Sequence, residues 1–291
     1  MDTRINKAWT VLSVLLALIA LAVGITALRH QHRPDDSRTD TAPKLLPSLL
    51  ERCDKTGEMH AGYGVYPPYT MEDPKSQRVS GLSVELLEHV AKELKCKLVW
   101  HRLNWNTMAA DLKRGQFDII ADPIFQTIPR AREFAFSEPY AYFADGIGVV
   151  RKSDQRFSDF NSIDRPGVKV AVGQGWASET FVRARVAKAT IVAVQTGTDL
   201  LQLFNEVVSG RADIAIADGA DAERFAREHP EQVTVLWLDS PPAWVPAGFA
   251  LRFTDSTGAQ FMNISLRSLR SLGVLDSLAE KYGVPPPRDM R

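Results

Sequence analysis

The sequence predicts an α/β protein of two lobes, the second inserted into the first. Two observations carry that reading. From about Glu58 onward, short apolar runs alternate with amphipathic stretches at helical spacing, the pattern of strands and helices in a layered fold. Two glycine-containing apolar runs, near 147–151 and 248–252, bracket a second series of such elements and read as hinge strands. The chain has 291 residues, 45% hydrophobic and 24% charged, which suffices for one or two domains with real cores.

In order, Met59 to Val65 reads as a strand ended by Tyr66-Pro-Pro-Tyr69. Ser83 to Leu94 places Val84, Leu87, Val90, Ala91 and Leu94 on one face of a helix. Leu98 to Leu103 follows as a strand, Thr107 to Arg114 as a helix closed by Gly115, and Phe117 to Ala121 as a strand. The second series has strands at Val168–Gly173, Ile191–Val194, Ile214–Ala217 and Thr234–Leu238. Its helices are Ser178–Ala187, Leu200–Ser209 and Ala220–His229. Two amphipathic helices close the chain, and no internal repeat is visible.

The N-terminus stands apart. Arg4 and Lys7 precede an uncharged run from Ala8 to Leu28, ended by Arg29. Its length favours a retained single-span anchor. Ala20-Leu-Ala22 offers a cleavage site for the alternative, a signal peptide. His30 to Pro43 is polar and reads as a spacer. The expected division is 1–29 as signal or anchor, 30–57 as linker and leading segment, 58–147 as the first part of lobe one, 148–250 as lobe two with the hinge strands, and 251–291 as the C-terminal helices of lobe one.

Lys+Arg and Asp+Glu both number 35, so no bulk field favours nucleic acid. Two cysteines, Cys53 and Cys96, exclude a disulfide scaffold and a cysteine-rich metal site. Six scattered histidines form no metal motif, and no nucleophile elbow or Walker loop is present. Gly173-x-Gly175-x-x-Ser178 lacks the third glycine of a dinucleotide fingerprint and the acidic residue after the next strand. No cofactor and no metal are expected.

The segment Asp118-Ile-Ile-Ala-Asp-Pro-Ile-Phe-Gln-Thr127-Ile-Pro-Arg130 carries the most chemistry. It reads as a strand end, a turn and an arginine at a helix start, where free N–H groups and a planar guanidinium together suit a carboxylate. With Phe136-Ser-Glu-Pro-Tyr140 it resembles the polar-amino-acid family of bacterial periplasmic solute-binding proteins, which have the type II periplasmic binding fold. Further motifs follow in the same order: Gly64-Val-Tyr66-Pro-Pro-Tyr69, Gly81-Leu-Ser-Val-Glu85, Trp105 through Leu112 to Gly115-Gln-Phe-Asp118, Val170-Ala-Val-Gly-Gln-Gly175, and Gly210-Arg-Ala-Asp213 through Asp218. The resemblance spans about residues 58–284.

It implies an inter-lobe cleft in which Arg130 holds a carboxylate and Asp218, on the opposite lobe, takes an α-ammonium group. Tyr66 and Trp105 would place aromatic rings against the ligand. Thr127 would support the turn presenting backbone donors, and Ala177 and Ser178 would offer N–H groups and a hydroxyl from the second lobe. Two departures stand out. Phe125 and Trp176 replace the small hydroxyl residues many members carry, which argues for a smaller or more apolar cleft and an uncharged ligand side chain, an aromatic one included. The family's closely spaced disulfide is missing, and Cys53 with Cys96 is the alternative pair.

The expectation is therefore a monomeric periplasmic protein, anchored to the inner membrane if the N-terminal segment is retained, that delivers an amino acid or similar small carboxylate to an ABC-importer permease. Two alternatives share the fold. One is a dehydratase acting on a prephenate- or arogenate-like substrate with Glu179 as acid. The other is a sensor working through a membrane partner.

Overall fold

The computed structural model describes residues 46–197 and 199–284. The expected membrane segment lies outside these residues; among them, no helix is long and apolar enough to cross a membrane.

Two sheets organise the fold. In the first, β1 (Glu58–Tyr63) lies parallel between β4 (Lys97–Arg102) and β5 (Ile119–Phe125). β13 (Ala243–Arg252) runs antiparallel to β5 and also pairs with β6 (Phe134–Phe136) and β7 (Ala141–Asp145). The second sheet has the order β10 (Thr190–Val194), β9 (Lys169–Gly173), β11 (Ile214–Ala217), β8 (Ile147–Arg151), β12 (Val233–Leu236). Helices cover both sheets, and a small pair, β2 (Met71–Glu72) with β3 (Val79–Ser80), lies outside them. The chain passes between the sheets twice, at Gly146 and across residues 237–242. This is the two-lobed arrangement with an inserted second lobe and a two-segment hinge.

Each central strand is buried on both faces, and its period of two divides it between separate cores. Along β5, Ile119 and Ala121 face a core with Leu87, Met262 and Phe249, whereas Ile120 and Ile124 face Leu112, Phe117 and Phe134. In β11, Ile214 and Ile216 join Val170 and Val182, and Ala215 and Ala217 join Phe204 and Phe225. A continuous apolar run is the necessary sequence for such a strand.

Four expectations need correction. The leading segment is not all linker, because α1 (Leu49–Thr56) packs Leu49 and Cys53 into the first core. Ser48 and Glu51 form a capping box at its start and Gly57 ends it in the left-handed conformation, a sequence signal that was available. β5 runs on through Pro123, which lacks an N–H, because the register with β13 shifts between Gly248 and Ala250, opposite that proline. β13 begins at Ala243, so 248–252 is an interior strand of the first sheet and the second crossing precedes it. Leu200–Phe204 is a 3-10 turn, and only Asn205–Val208 (α5) is α-helical.

Cys53 and Cys96 are bonded, with Cα atoms 5.7 Å apart and 43 residues of separation. Closing a loop of that length in the unfolded chain accounts for about 4 kcal/mol in the chain-entropy model, against a typical 2–4 kcal/mol measured. Replacing both cysteines by serine is expected to lower the urea-unfolding free energy by about 2–4 kcal/mol. An unchanged midpoint would show that the bond constrains nothing that unfolds.

Candidate functional site

The cleft between the lobes encloses about 480 Å³ of empty space, open solvent at its mouth included. Its residues sit just beyond the carboxyl ends of strands from both sheets, where open α/β sheets place their ligands. Tyr66 follows β1, Trp105 follows β4, Phe125 ends β5 and Asp145 ends β7. From the second lobe, Trp176, Ala177 and Ser178 follow β9, and Asp218 follows β11.

Two glycines let the aromatic rings approach. A Cβ on Gly64 would lie 2.4 Å from the Trp105 ring, and one on Gly173 would lie 2.1 Å from the ring of Trp176. The Tyr66 loop is fixed from beneath by Asp122, fully buried in β5, which accepts the Gly64 N–H at 2.6 Å and the Thr70 hydroxyl. Burial pushes the Asp122 carboxyl up to about 6, although these hydrogen bonds pull the other way.

Arg130 does not open a helix as expected. It starts a single 3-10 turn, Arg130–Arg132, which has too few aligned peptides to make an anion site of its own. The guanidinium carries the site instead. Its Nη1 donates to Phe125 O at 3.3 Å and its Nη2 to Gly175 O at 3.1 Å across the cleft, leaving further donors of the fork available. Burial pulls its pKa down to about 10, against the charges of Asp145 and Glu133, so it stays protonated at neutral pH.

The true helix start is on the other lobe. α4 (Ala177–Arg185) begins after Trp176 with no side-chain cap, so its first-turn N–H groups open at the cleft. Ser178 is 2% exposed, and its hydroxyl has no hydrogen-bond partner among the described residues. Glu179, the acid of the dehydratase alternative, does not line the cleft: it accepts the Gly175 N–H at 2.7 Å and pairs with Arg183 at 2.8 Å.

Asp218 joins a helix start to the opposite lobe. Its Oδ1 caps α6 (Gly219–Glu228) by accepting from Asp221 N at 3.1 Å, and it accepts the Tyr66 hydroxyl at 2.9 Å from the opposite lobe. Burial raises the pKa of Asp218, and burial together with the Asp218 charge raises that of Asp221 well above the carboxylate range. Burial, and then Asp218, likewise pushes up the Tyr66 phenol.

Of the expected residues, Tyr66, Trp105, Phe125, Arg130, Trp176, Ala177, Ser178 and Asp218 line the cleft. Thr127 does not; its hydroxyl accepts from the Arg130 N–H at 3.4 Å, so it shapes the turn. Sequence reasoning missed Pro123, Ile124, Asp145, Leu200 and Asp221, which also line it. Asp145 ends an ordinary strand, and Asp221 sits in a helix first turn where acids are common; neither position looks unusual in one dimension.

A two-lobed α/β protein with a charged, aromatic cleft spanned by two crossings encloses a small molecule between its lobes. The model for bacterial extracellular solute-binding proteins, family 3, matches residues 60–285, and the chain belongs to that family. It is 30% identical over 189 residues to a cyclohexadienyl dehydratase of Pseudomonas aeruginosa, covering 65% of this chain and 69% of the relative. It is 27% identical over 236 residues to a probable amino-acid ABC transporter-binding protein of Haemophilus influenzae, covering 80% and 88%. Among solved structures, the ancestral amino-acid-binding protein AncCDT-1, a precursor of cyclohexadienyl dehydratase, superposes with a TM-score of 0.68 at 30% identity, covering 81% of this chain and 99% of that one.

Proposed function

We propose that this protein binds an α-amino acid in the inter-lobe cleft and hands it to the permease of an ABC importer on the outer face of the cytoplasmic membrane. The observation that carries this reading is the placement of Arg130 and Asp218 on opposite lobes of one cleft. A ligand bearing both a carboxylate and an ammonium group satisfies each only when the lobes are shut. The carboxylate would lie between the Arg130 fork and the open first turn of α4, near Ser178. The ammonium would meet Asp218, with the rings of Tyr66, Trp105, Phe125 and Trp176 packed around the rest. The Haemophilus relative, a probable amino-acid ABC transporter-binding protein, supports the delivery step.

A thermal-shift screen of the purified protein against the common amino acids tests this. A ligand at 100-fold its dissociation constant should add about 2.7 kcal/mol of stability. A panel with no response would remove the amino-acid reading.

One observation keeps a second reading in view. The Pseudomonas dehydratase is 30% identical, and loss of water from a cyclohexadienyl ring needs an acid at the leaving hydroxyl. Glu179 is committed elsewhere, but burial pushes the Asp145 carboxyl up to about 7, within range for such an acid. Turnover of prephenate or arogenate by the purified protein would establish that reading, and its absence would dismiss it.

A further inference from the structure

Four charged side chains line the cleft: Arg130, Asp145, Asp218 and Asp221. Asp221 has its own counter-ion, because Arg224 reaches it at 2.9 Å. Arg130 is answered by the carboxylate of an amino acid and Asp218 by its α-ammonium group. That leaves Asp145. It is fully buried; its Oδ1 accepts only the Gly146 N–H at 2.8 Å, and its Oδ2 has no hydrogen-bond partner among the described residues. A buried carboxylate at the lining of a cavity, with one oxygen unmet, is costly unless a cation or a proton meets it.

Resting on the amino-acid reading above, we infer that Asp145 selects ligands with a second positive charge, that is, α-amino acids bearing a side-chain ammonium or guanidinium group. With Asp145 ionised and Asp221 paired as a carboxylate with Arg224, a zwitterion with an uncharged side chain leaves the closed cleft one negative charge in excess. A ligand with one more cation removes the excess without protonating the protein. The aromatic lining fits the same ligand, since ring faces attract a desolvated ammonium or guanidinium. Phe125 and Trp176, which by sequence argued for an uncharged side chain, therefore belong equally to a cation site. The position of Asp145 adds a mechanical element: it ends β7 immediately before the Gly146 crossing, so a cation held there sits at the hinge.

The groups that act electrostatically on Asp145 are Asp218, which raises its pKa, and Arg130, which lowers it; burial is the largest cause and places it at about 7. Asp145 is thus ionised above that pH and protonated below it, while a lysine side chain stays cationic throughout. Selectivity for the second cation must fade as pH falls through about 7.

Calorimetric titration of the full chain with L-lysine and with L-norleucine, which has the same carbon chain without the side-chain ammonium, tests the inference. At pH 8, lysine is expected to bind at least a hundredfold tighter. Asp145→Asn should shrink the lysine-to-norleucine affinity ratio tenfold or more. Lowering the pH from 8 to 5.5 should shrink the wild-type ratio and leave that of D145N flat. If D145N does not fold, the wild-type ratio and its pH profile decide the matter alone. Equal affinities at pH 8, an unaltered ratio in D145N, or a ratio indifferent to pH would each overturn the inference. If both ligands bind equally and both need Arg130, only the selectivity of Asp145 falls; if neither binds, the selectivity inference falls and the thermal-shift panel decides the amino-acid reading.

Discussion

Arg130→Ala is expected to abolish measurable binding of the amino-acid ligand at micromolar concentrations. Removing one partner of a desolvated, hydrogen-bonded charge pair typically costs about 2–5 kcal/mol, much of it from stranding the other charge. Here the stranded group would be the ligand carboxylate, left with only the first-turn N–H groups of α4. The substitution also removes the Arg130 bridge to Gly175 O, a direct tie between the lobes. Titration calorimetry measures the loss, and the folded state can be verified by an unaltered far-ultraviolet spectrum. Affinity within a factor of about three of wild type, or less than ~1 kcal/mol, would refute Arg130 as the carboxylate partner. Arg130→Lys should recover little, because a point charge cannot reproduce the two-pronged fork.

The second large effect is on stability and lies at the opposite end of the same strand region. Asp118 is fully buried, 2.9 Å from Arg52 Nε and 3.3 Å from Arg252 Nη1, and accepts the His60 N–H at 3.1 Å. Arg252 is itself only 4% exposed and donates to Pro47 O. Asp118→Ala leaves a buried guanidinium without its counter-ion, a change that costs about 3–5 kcal/mol in comparable buried pairs. Urea denaturation should record that loss. Binding by the folded variant should persist, because Asp118 precedes β5 and the cleft lies beyond its far end. A loss below ~1 kcal/mol would mean that the two arginines find other partners or water.

These two residues show how differently a sequence exposes its charges. Arg130 is legible because it sits in an ordered set of motifs, T-x-x-R then F-S-x-P-Y, whose spacing fixes a turn. The same segment misled about its surroundings: the expected helix start is one 3-10 turn, and the open helix start that faces the cleft belongs to α4. Asp118, which opens the same segment, is buried away from the cleft and holds the fold together. Its partners, Arg52 and Arg252, are 66 and 134 residues away, beyond the reach of any local pattern. The pairing of His60 Nδ1 with His101 Nε2 at 2.8 Å was missed for the same reason: it depends on the parallel register of β1 and β4, in which Gly62 faces His101.

The sequence by itself determined the α/β class, the succession of strands and helices, the inserted second lobe and most of the cleft lining. The class and the order of elements follow from local periodicity, and the cleft lining from motifs at strand ends that resemble those of a known family; both survive projection onto one dimension. Only the tertiary structure decided the charge balance of the cleft. Asp218 stands in a motif, but Asp145 and Asp221 come from a hinge strand and a helix first turn, and each is unremarkable alone. Their shared desolvation, the absence of a partner for Asp145 Oδ2 among the described residues, and the neutralisation of Asp221 by Arg224 arise when two sheets close over one volume. Electrostatic energy depends on distance and burial in space, so a sum of charges along the chain, which is zero here, says nothing about the sign of the field inside the cleft.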